Sequence, residues 1–232
     1  CGGAAELDEC GVCEGDDSSC AVYVELEITT TLDEPIEDEE ELQEFASDFE
    51  NYMEVELGLP QGTVEVTNII PDHLDSLIKC LEKANIQLEV KDSSIVVRSN
   101  ANNIFSTNIE TNEYPGFPTD LQAQWMMLMC LAKGNSTIKE NIYYDRFTHI
   151  MELNRLGCNI KLEDSVAIIE GDRKLIGADV MSTDIRASAA LIIAALSAKG
   201  TTKISRVYHI DRGYDKIEKK LTNIGAEIFR KK

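Results

Sequence analysis

No lysine and no arginine occurs in the first 62 residues, although 20 aspartates and glutamates do. The other 22 acids face all 22 bases of the chain, so the net charge of -20 belongs to that opening segment alone. A shift so sharp argues against one evenly built domain. It marks two units of different origin, or an acidic solvated tail before a single domain. The chain also lacks a long hydrophobic run. Its longest nearly apolar stretch, Ala187 to Ala198, falls well short of the roughly 20 residues that span a bilayer. No basic stretch followed by an apolar one opens the sequence, so no secretory signal peptide is read. The chain opens at Cys1 rather than Met, so its natural start is expected to be missing. Neither a membrane nor a nucleic acid is expected as a partner. The 232 residues, 43% of them hydrophobic, suffice for one large domain or two ordinary ones with a real core.

Cysteine usage breaks at the same place as charge. Cys1, Cys10, Cys13 and Cys20 crowd the first 20 residues, whereas Cys80, Cys130 and Cys158 lie far apart. The first set reads as disulfides or a metal clip, the second as buried free thiols of a reduced compartment. Residues 1–20 are rich in Gly, Asp and Ser and form a loop that needs cross-links to hold a shape. Asp16 and Asp17 offer the carboxylate oxygens that calcium takes, while zinc at Cys10 and Cys13 needs two further ligands that are not evident. The segment resembles the Cys-Gly-Val-Cys-x-Gly-Asp repeats of secreted multidomain proteins.

From Ala21 to Leu32 apolar and polar residues alternate, which predicts a strand. Between Glu37 and Leu57, residues Leu42, Phe45, Phe49, Met53 and Leu57 recur at helical spacing, with acids in the first turn where the helix dipole favours them. Gly58 and Pro60 end that helix, and Thr63 to Ile69 alternates again. The result is a small strand–helix–strand segment, ferredoxin-like or SEA-like, with no catalytic group in it.

Beyond Pro71 the sequence repeats itself. Leu81-x-x-Ala84-Asn85, Leu153-x-x-Leu156-Gly157 and Leu221-x-x-Ile224-Gly225 each close a helix and open a strand. Thr119-Asp120-Leu121 pairs with Thr183-Asp184-Ile185, each ahead of an apolar helix that ends in Ala-Lys-Gly, at Ala132–Gly134 and Ala198–Gly200. Matching positions lie 64 to 72 residues apart, which predicts repeated α/β units sharing buried helices within one domain.

Polar clusters mark the strand-to-helix junctions of these units. Tyr114-Pro-Gly-Phe-Pro-Thr-Asp120 is a rigid turn that delivers Asp120 to the start of the helix Leu121–Ala132, either as a cap or as a reactive carboxylate. Arg186 opens the apolar helix Ala187–Ala198, where the guanidinium and the helix N-terminus would make an anion site. The alternative is an ion pair with Asp184 that only orients the loop. Arg146 and Arg212 sit at comparable junctions, and His209 reads as a packed or capping histidine. Three arginines and an aspartate at equivalent ends of repeated units suit a phosphorylated, carboxylated substrate.

These strings, Tyr-Pro-Gly-Phe-Pro-Thr-Asp-Leu-Gln-Ala-Gln, Asp-Arg-Phe, Thr-Asp-Ile-Arg-Ala-Ser-Ala-Ala and Val-Tyr-His-Ile-Asp-Arg-Gly-Tyr, resemble in order and spacing the UDP-N-acetylglucosamine 1-carboxyvinyltransferases. These are the enolpyruvyl transferases of peptidoglycan precursor synthesis. The resemblance covers residues 62–232. It implies an inside-out α/β barrel of repeated units and transfer of enolpyruvyl from phosphoenolpyruvate to the 3′-hydroxyl of UDP-N-acetylglucosamine, in the cytoplasm. No cofactor or metal is implied. Asp120 matches the family's candidate general base and Ile142 a backbone contact to the UDP-sugar. Arg146, Arg186 and Arg212 match the charged wall around phosphoenolpyruvate, and Asp184 goes with them as a substrate-binding position.

The family's N-terminal domain has no counterpart here, and with it go a Lys-Asn pair, the loop bearing the proton-donor cysteine and the uridine contacts. Cys130 lies inside an apolar helix and cannot replace that cysteine. The expected organisation is therefore a Cys-rich loop over 1–20, an acidic strand–helix segment over 21–61 and an incomplete transferase domain over 62–232, with negligible turnover as a partial chain. The competing expectation is a secreted-type binding or structural module, calcium-binding through residues 1–62, fused to an inert transferase fragment. A third is a junction created in gene prediction or assembly.

Overall fold

Alternating apolar and polar residues set the strands, and positive-φ turns set where helices hand over to them. The computed structural model describes residues 21–24, 63–98, 103–223 and 226–231, without the side chains of 21–24 and Thr63. The Cys-rich loop, the candidate calcium and zinc ligands and the helix Glu37–Leu57 lie outside the described residues, as does most of the strand Ala21–Leu32. The chain falls into two units, residues 29–104 and residues 1–28 with 105–232. β1 (Ala21–Val24) belongs to the second of these.

In the smaller unit, β2 (Thr63–Thr67), α1 (Asp75–Lys83), β3 (Gln87–Val90) and β4 (Ser94–Arg98) follow in order. The antiparallel sheet runs β2-β4-β3, with Val66 and Val90 both opposite Ile95. One face carries ion pairs of Glu65 with Lys91 and of Glu89 with Arg98. On the other face Ile95 is buried, whereas Val64, Val66 and Val90 stay exposed. Asn85, at φ 65, turns α1 into β3 where the repeat motif predicts the turn.

The larger unit contains two similar passages. In the first, β5 (Ile109–Glu110), α2 (Gln122–Leu131), β6 (Asn135–Lys139), α3 (Ile150–Arg155), β7 (Asn159–Glu163) and β8 (Val166–Glu170) give a sheet ordered β5-β6-β8-β7. In the second, β9 (Asp179–Met181), α4 (Ile185–Ser197), β10 (Thr202–Ser205), α5 (Tyr208–Asp211), α6 (Ile217–Thr222) and β11 (Ile228–Lys231) give the order β9-β10-β1-β11. In both, a parallel pair flanks the apolar helix: β5 with β6, and β9 with β10. β1 runs antiparallel to both β10 and β11, as β8 does to β6 and β7, so it fills in the second sheet the place of β8 in the first. Gly134 (φ +98) and Gly200 (φ +95) end the two Ala-Lys-Gly motifs in a left-handed conformation that an L side chain rarely adopts.

The two apolar helices, α2 and α4, pack against each other. Ala190 and Ala194 keep α4 slim, and Met126, Met127, Met129 and Leu191 fill the interior with no exposed surface. Burying each such Leu or Met contributes about 1.5–3 kcal/mol. Cys130 and Cys158 are buried free thiols, as expected, but Cys80 is only half-buried because α1 buries no residue fully. No helix among the described residues is long and apolar enough to cross a membrane.

Candidate active site

The turn before α2 is held shut at several points. Asn112 N–H donates to the Phe117 carbonyl (3.0 Å) and Gly116 N–H to that of Glu113 (2.7 Å). A side chain at Gly116 would come within 2.5 Å of the Asn112 Cβ, so glycine is needed there. Tyr114–Pro115 is a cis peptide. Phe117 is buried with its ring edge-on to Trp125 of α2, 5.5 Å between centroids, which anchors the turn to the helix it introduces.

This anchored turn presents Asp120, which caps neither the short 3₁₀ turn Thr119–Leu121 nor α2. Its carboxylate is gripped by two guanidiniums. Arg186 donates from Nε to Oδ1 and from Nη2 to Oδ2, both at 3.0 Å, and Arg146 donates from Nη1 to Oδ1 at 2.9 Å. The hydrogen bonds from Arg186 above all, opposed by burial and supported by Arg146, hold the Asp120 carboxyl below the usual aspartate range. Arg146 is itself pinned, donating to the Thr119 carbonyl (3.4 Å) and lying over the Tyr143 ring at 5.2 Å. Asp120 and Arg186 are 66 residues apart and come from the two successive repeats.

Asp184 does not form the side-chain ion pair with Arg186 that the sequence left open as an alternative. Its Oδ1 accepts the N–H groups of Arg186 (2.8 Å) and Ala187 (3.0 Å), so it is the N-cap of α4, while the Arg186 side chain turns to Asp120. The helix N–H groups proposed for an anion are therefore partly taken by Asp184, and the positive charge of the site comes mainly from guanidiniums. A cavity of about 390 Å³ opens among Tyr143, Arg146, Thr148, Thr183, Asp184 and Arg186, with the Thr148 and Thr183 hydroxyls 3.2 Å apart. A second cavity, about 310 Å³ beside Glu152, Arg155, Asp179 and Lys203, mixes both signs of charge and has no comparable convergence.

Ile142 lies on the loop after β6, where its N–H donates to Glu140 (3.0 Å). Arg212 is exposed, and its side chain meets none of Asp120, Arg146 and Arg186. The residue after it packs close to the start of α4, where a side chain on Gly213 would come within 2.1 Å of Ile185. Asp120, Arg146 and Arg186 are thus brought into direct contact, and Arg212 is not. His209 stacks on Tyr208 (4.2 Å), and burial and Arg206 lower its pKa. The Cys130 thiol, next to Cys158 and buried, is pushed far up and stays protonated.

Two residues escaped the sequence reading. Glu140, with no exposed surface, accepts the Thr111 hydroxyl (2.7 Å), the Thr119 hydroxyl (3.0 Å) and the N–H groups of Ile142 and Tyr143 (both 3.0 Å). His149 lies buried beside the Asp184 and Arg146 charges, and burial pushes its pKa down to about 4. Among the described residues no group of three His, Cys, Asp or Glu side chains is placed to hold a metal.

Residues 58–221 match the family described as EPSP synthase (3-phosphoshikimate 1-carboxyvinyltransferase). The chain is 46% identical over 171 residues to a UDP-N-acetylglucosamine 1-carboxyvinyltransferase of Chlorobium luteolum, covering 74% of this chain and 40% of that protein. Proteins of the same name from Nitratiruptor sp. and Geotalea daltonii are 48% and 50% identical over 172 and 169 residues, covering 74% and 73% of this chain and 41% and 40% of theirs. The chain therefore spans about 40% of the length of the curated relatives it matches. In fold it is similar to the enolpyruvyl transferase NikO from Streptomyces tendae, with a TM-score of 0.69 at 24% identity over 75% of this chain and 41% of that one. It is also similar to an EPSP synthase from Acinetobacter baumannii, with a TM-score of 0.59 at 14% identity over 74% and 44% of the two chains.

Proposed function

Given that the chain belongs to the EPSP synthase family of carboxyvinyl transferases, we propose that its site serves enolpyruvyl transfer from phosphoenolpyruvate to the 3′-hydroxyl of UDP-N-acetylglucosamine. The observation that carries the proposal is Asp120 clasped by Arg146 and Arg186, two arginines that also line a cavity large enough for a three-carbon phosphate ester. The likeness to the carboxyvinyltransferases at 46–50% identity favours UDP-N-acetylglucosamine as acceptor. The same likeness favours a cytoplasmic setting for the reaction.

In this reading the sugar oxygen bonds to C2 of phosphoenolpyruvate while C3 takes a proton. The adduct then loses phosphate from C2 and the proton from C3, leaving an enol ether and inorganic phosphate. The residues of this site act on the hydroxyl and on the anionic groups. Asp120, ionised across the neutral range, accepts the hydrogen bond of the hydroxyl and takes its proton as the C–O bond forms. Arg186 spends Nε and Nη2 on Asp120, and Arg146 spends Nη1. Nη1 of Arg186 and Nη2 of Arg146 then face the carboxylate or phosphate, whose charge they hold throughout. Arg212 and the Ile142 carbonyl complete the contacts, Arg212 by swinging in from solvent and Ile142 by meeting the nucleotide sugar.

Calorimetric titration of the chain with UDP-N-acetylglucosamine, with and without phosphoenolpyruvate, tests this. Saturable binding that Asp120→Asn weakens is expected. Absence of saturable binding at millimolar concentrations of both ligands would dispose of the assignment.

A further inference from the structure

Asp120 is useful only if its carboxylate stands still, and the ion pairs alone do not ensure that, because Arg186 and Asp120 are both substantially exposed. The backbone beneath Asp120 is fixed by a different group. Glu140 lies at the end of β6, in step with Ser136 and Ile138, whose side chains point into the interior. Its carboxylate receives the Thr119 hydroxyl at 3.0 Å from each of its two oxygens, so the residue next to Asp120 is held from below. From above, the Thr119 carbonyl is held by Arg146. The same Oε1 takes the N–H groups of Ile142 and Tyr143, the second residue being the one whose ring carries the Arg146 guanidinium. Thr111 closes the arrangement from the end of β5, donating its hydroxyl to Glu140 and accepting the Asn141 N–H at 2.9 Å. One buried carboxylate therefore ties together the turn that carries Asp120 and the loop that carries Ile142, Tyr143 and Arg146.

We propose that Glu140 is a positioning residue: acting through Thr119 and the Ile142–Tyr143 backbone, it sets the distance between the Asp120 carboxylate and the arginine loop, without itself touching a substrate. A buried acceptor of this kind fixes geometry because each donor it serves would otherwise be left unpaired away from water. The inference deepens the proposed function where it speaks of substrate, but its geometric part stands without it.

The test uses the full chain, labelled with ¹³C, and follows the Asp120 carboxyl resonance through a pH titration, assigned with Asp120→Asn. Thr119→Val cuts only the tie between Glu140 and the Asp120 turn, while Glu140→Gln keeps a carbonyl acceptor of the same shape. Glu140→Ala removes all the ties and is included if it folds. For Thr119→Val the Asp120 midpoint should move up toward that of an ordinary aspartate, and UDP-N-acetylglucosamine should bind about tenfold more weakly. Glu140→Gln should fall between Thr119→Val and wild type on both readouts. If Thr119→Val lowers the unfolding temperature but leaves the Asp120 titration at its wild-type position, Glu140 is structural and the proposal fails. If wild type binds no sugar nucleotide, the proposed function fails, and the Asp120 titration still decides the positioning role.

Discussion

Replacing Arg186 by alanine separates what that residue does for the fold from what it does for a ligand. In the folded chain its guanidinium meets Asp120 at two 3.0 Å contacts, with side chains 40% and 57% exposed. Ion pairs so open to solvent contribute about 0.2–1 kcal/mol. For a chain of this size that is a fall of no more than about 4 °C in unfolding temperature. The pH dependence is fixed in sign. Asp120 is held below its ordinary value, so its contribution is fully present above the unfolded aspartate pKa and is lost as pH falls through the folded one. The difference between wild type and Arg186→Ala should therefore shrink in acid and be flat at neutral pH. A charge-assisted bond to a phosphate or carboxylate contributes more, about 1.5–3 kcal/mol. Loss of Arg186 should accordingly weaken phosphoenolpyruvate roughly tenfold to a hundredfold. Arg186→Lys should recover part of the affinity, since it keeps the charge but loses the planar fork. Thermal unfolding monitored by circular dichroism, together with calorimetric titration, provides both readouts. A variant with unchanged ligand affinity, or one whose stability loss accounts for its whole binding defect, would rule out a direct contact between Arg186 and the ligand.

Asp184→Ala should lower stability by about 1 kcal/mol through loss of the α4 cap, seen as a fall of a few degrees in the same melt, and Asp184→Asn or Asp184→Ser should restore most of it. His149, neutral in the interior with its pKa pushed down to about 4, should make the chain less stable as pH falls from about 6.5, where the unfolded chain begins to take up the proton, to about 4, where the folded one does. The loss approaches about 3 kcal/mol at about 1.4 kcal/mol per unit. Urea midpoints across that range should show the slope, and His149→Phe should reduce it.

Much of the fold was legible because it is local. The Leu-x-x-Ala-Asn, Leu-x-x-Leu-Gly and Ala-Lys-Gly motifs mark helix ends in the sequence, and the structure turns there at Asn85, Gly134, Gly157 and Gly200 with positive φ. The strand Thr63–Ile69 and the apolar helices appear within a few residues of their expected bounds. What was not legible depends on distant pairing. The described part of the first strand, Ala21–Val24, lies between β10 and β11, and nothing in its alternation names those partners.

The site shows the same division. Asp120, Arg146 and Arg186 are recognisable as a group by their equivalent places in the repeats. Whether Asp120 caps a helix or pairs with arginine cannot be read from a turn, because either needs only a carboxylate at that point. The structure gives the capping role to Asp184 and the ion pairs to Asp120. Arg212, placed with them by the resemblance, stands exposed because α5 ends just before it and carries its side chain toward solvent. Glu140 had a signal that went unused: it continues the inward alternation of Ser136 and Ile138, where an apolar residue would be expected. A charged residue in phase with a buried face is a buried carboxylate with donors around it, and those donors are 29 residues upstream at Thr111 and 21 at Thr119.

The most direct measurement is a chemical-shift map of the ¹⁵N-labelled chain during titration with phosphoenolpyruvate and UDP-N-acetylglucosamine. Saturable shifts are expected, centred on Thr119–Asp120, Ile142–Thr148 and Thr183–Arg186 and spreading to Arg212 as its side chain closes in. Saturable shifts elsewhere with these segments unmoved would contradict the proposed function.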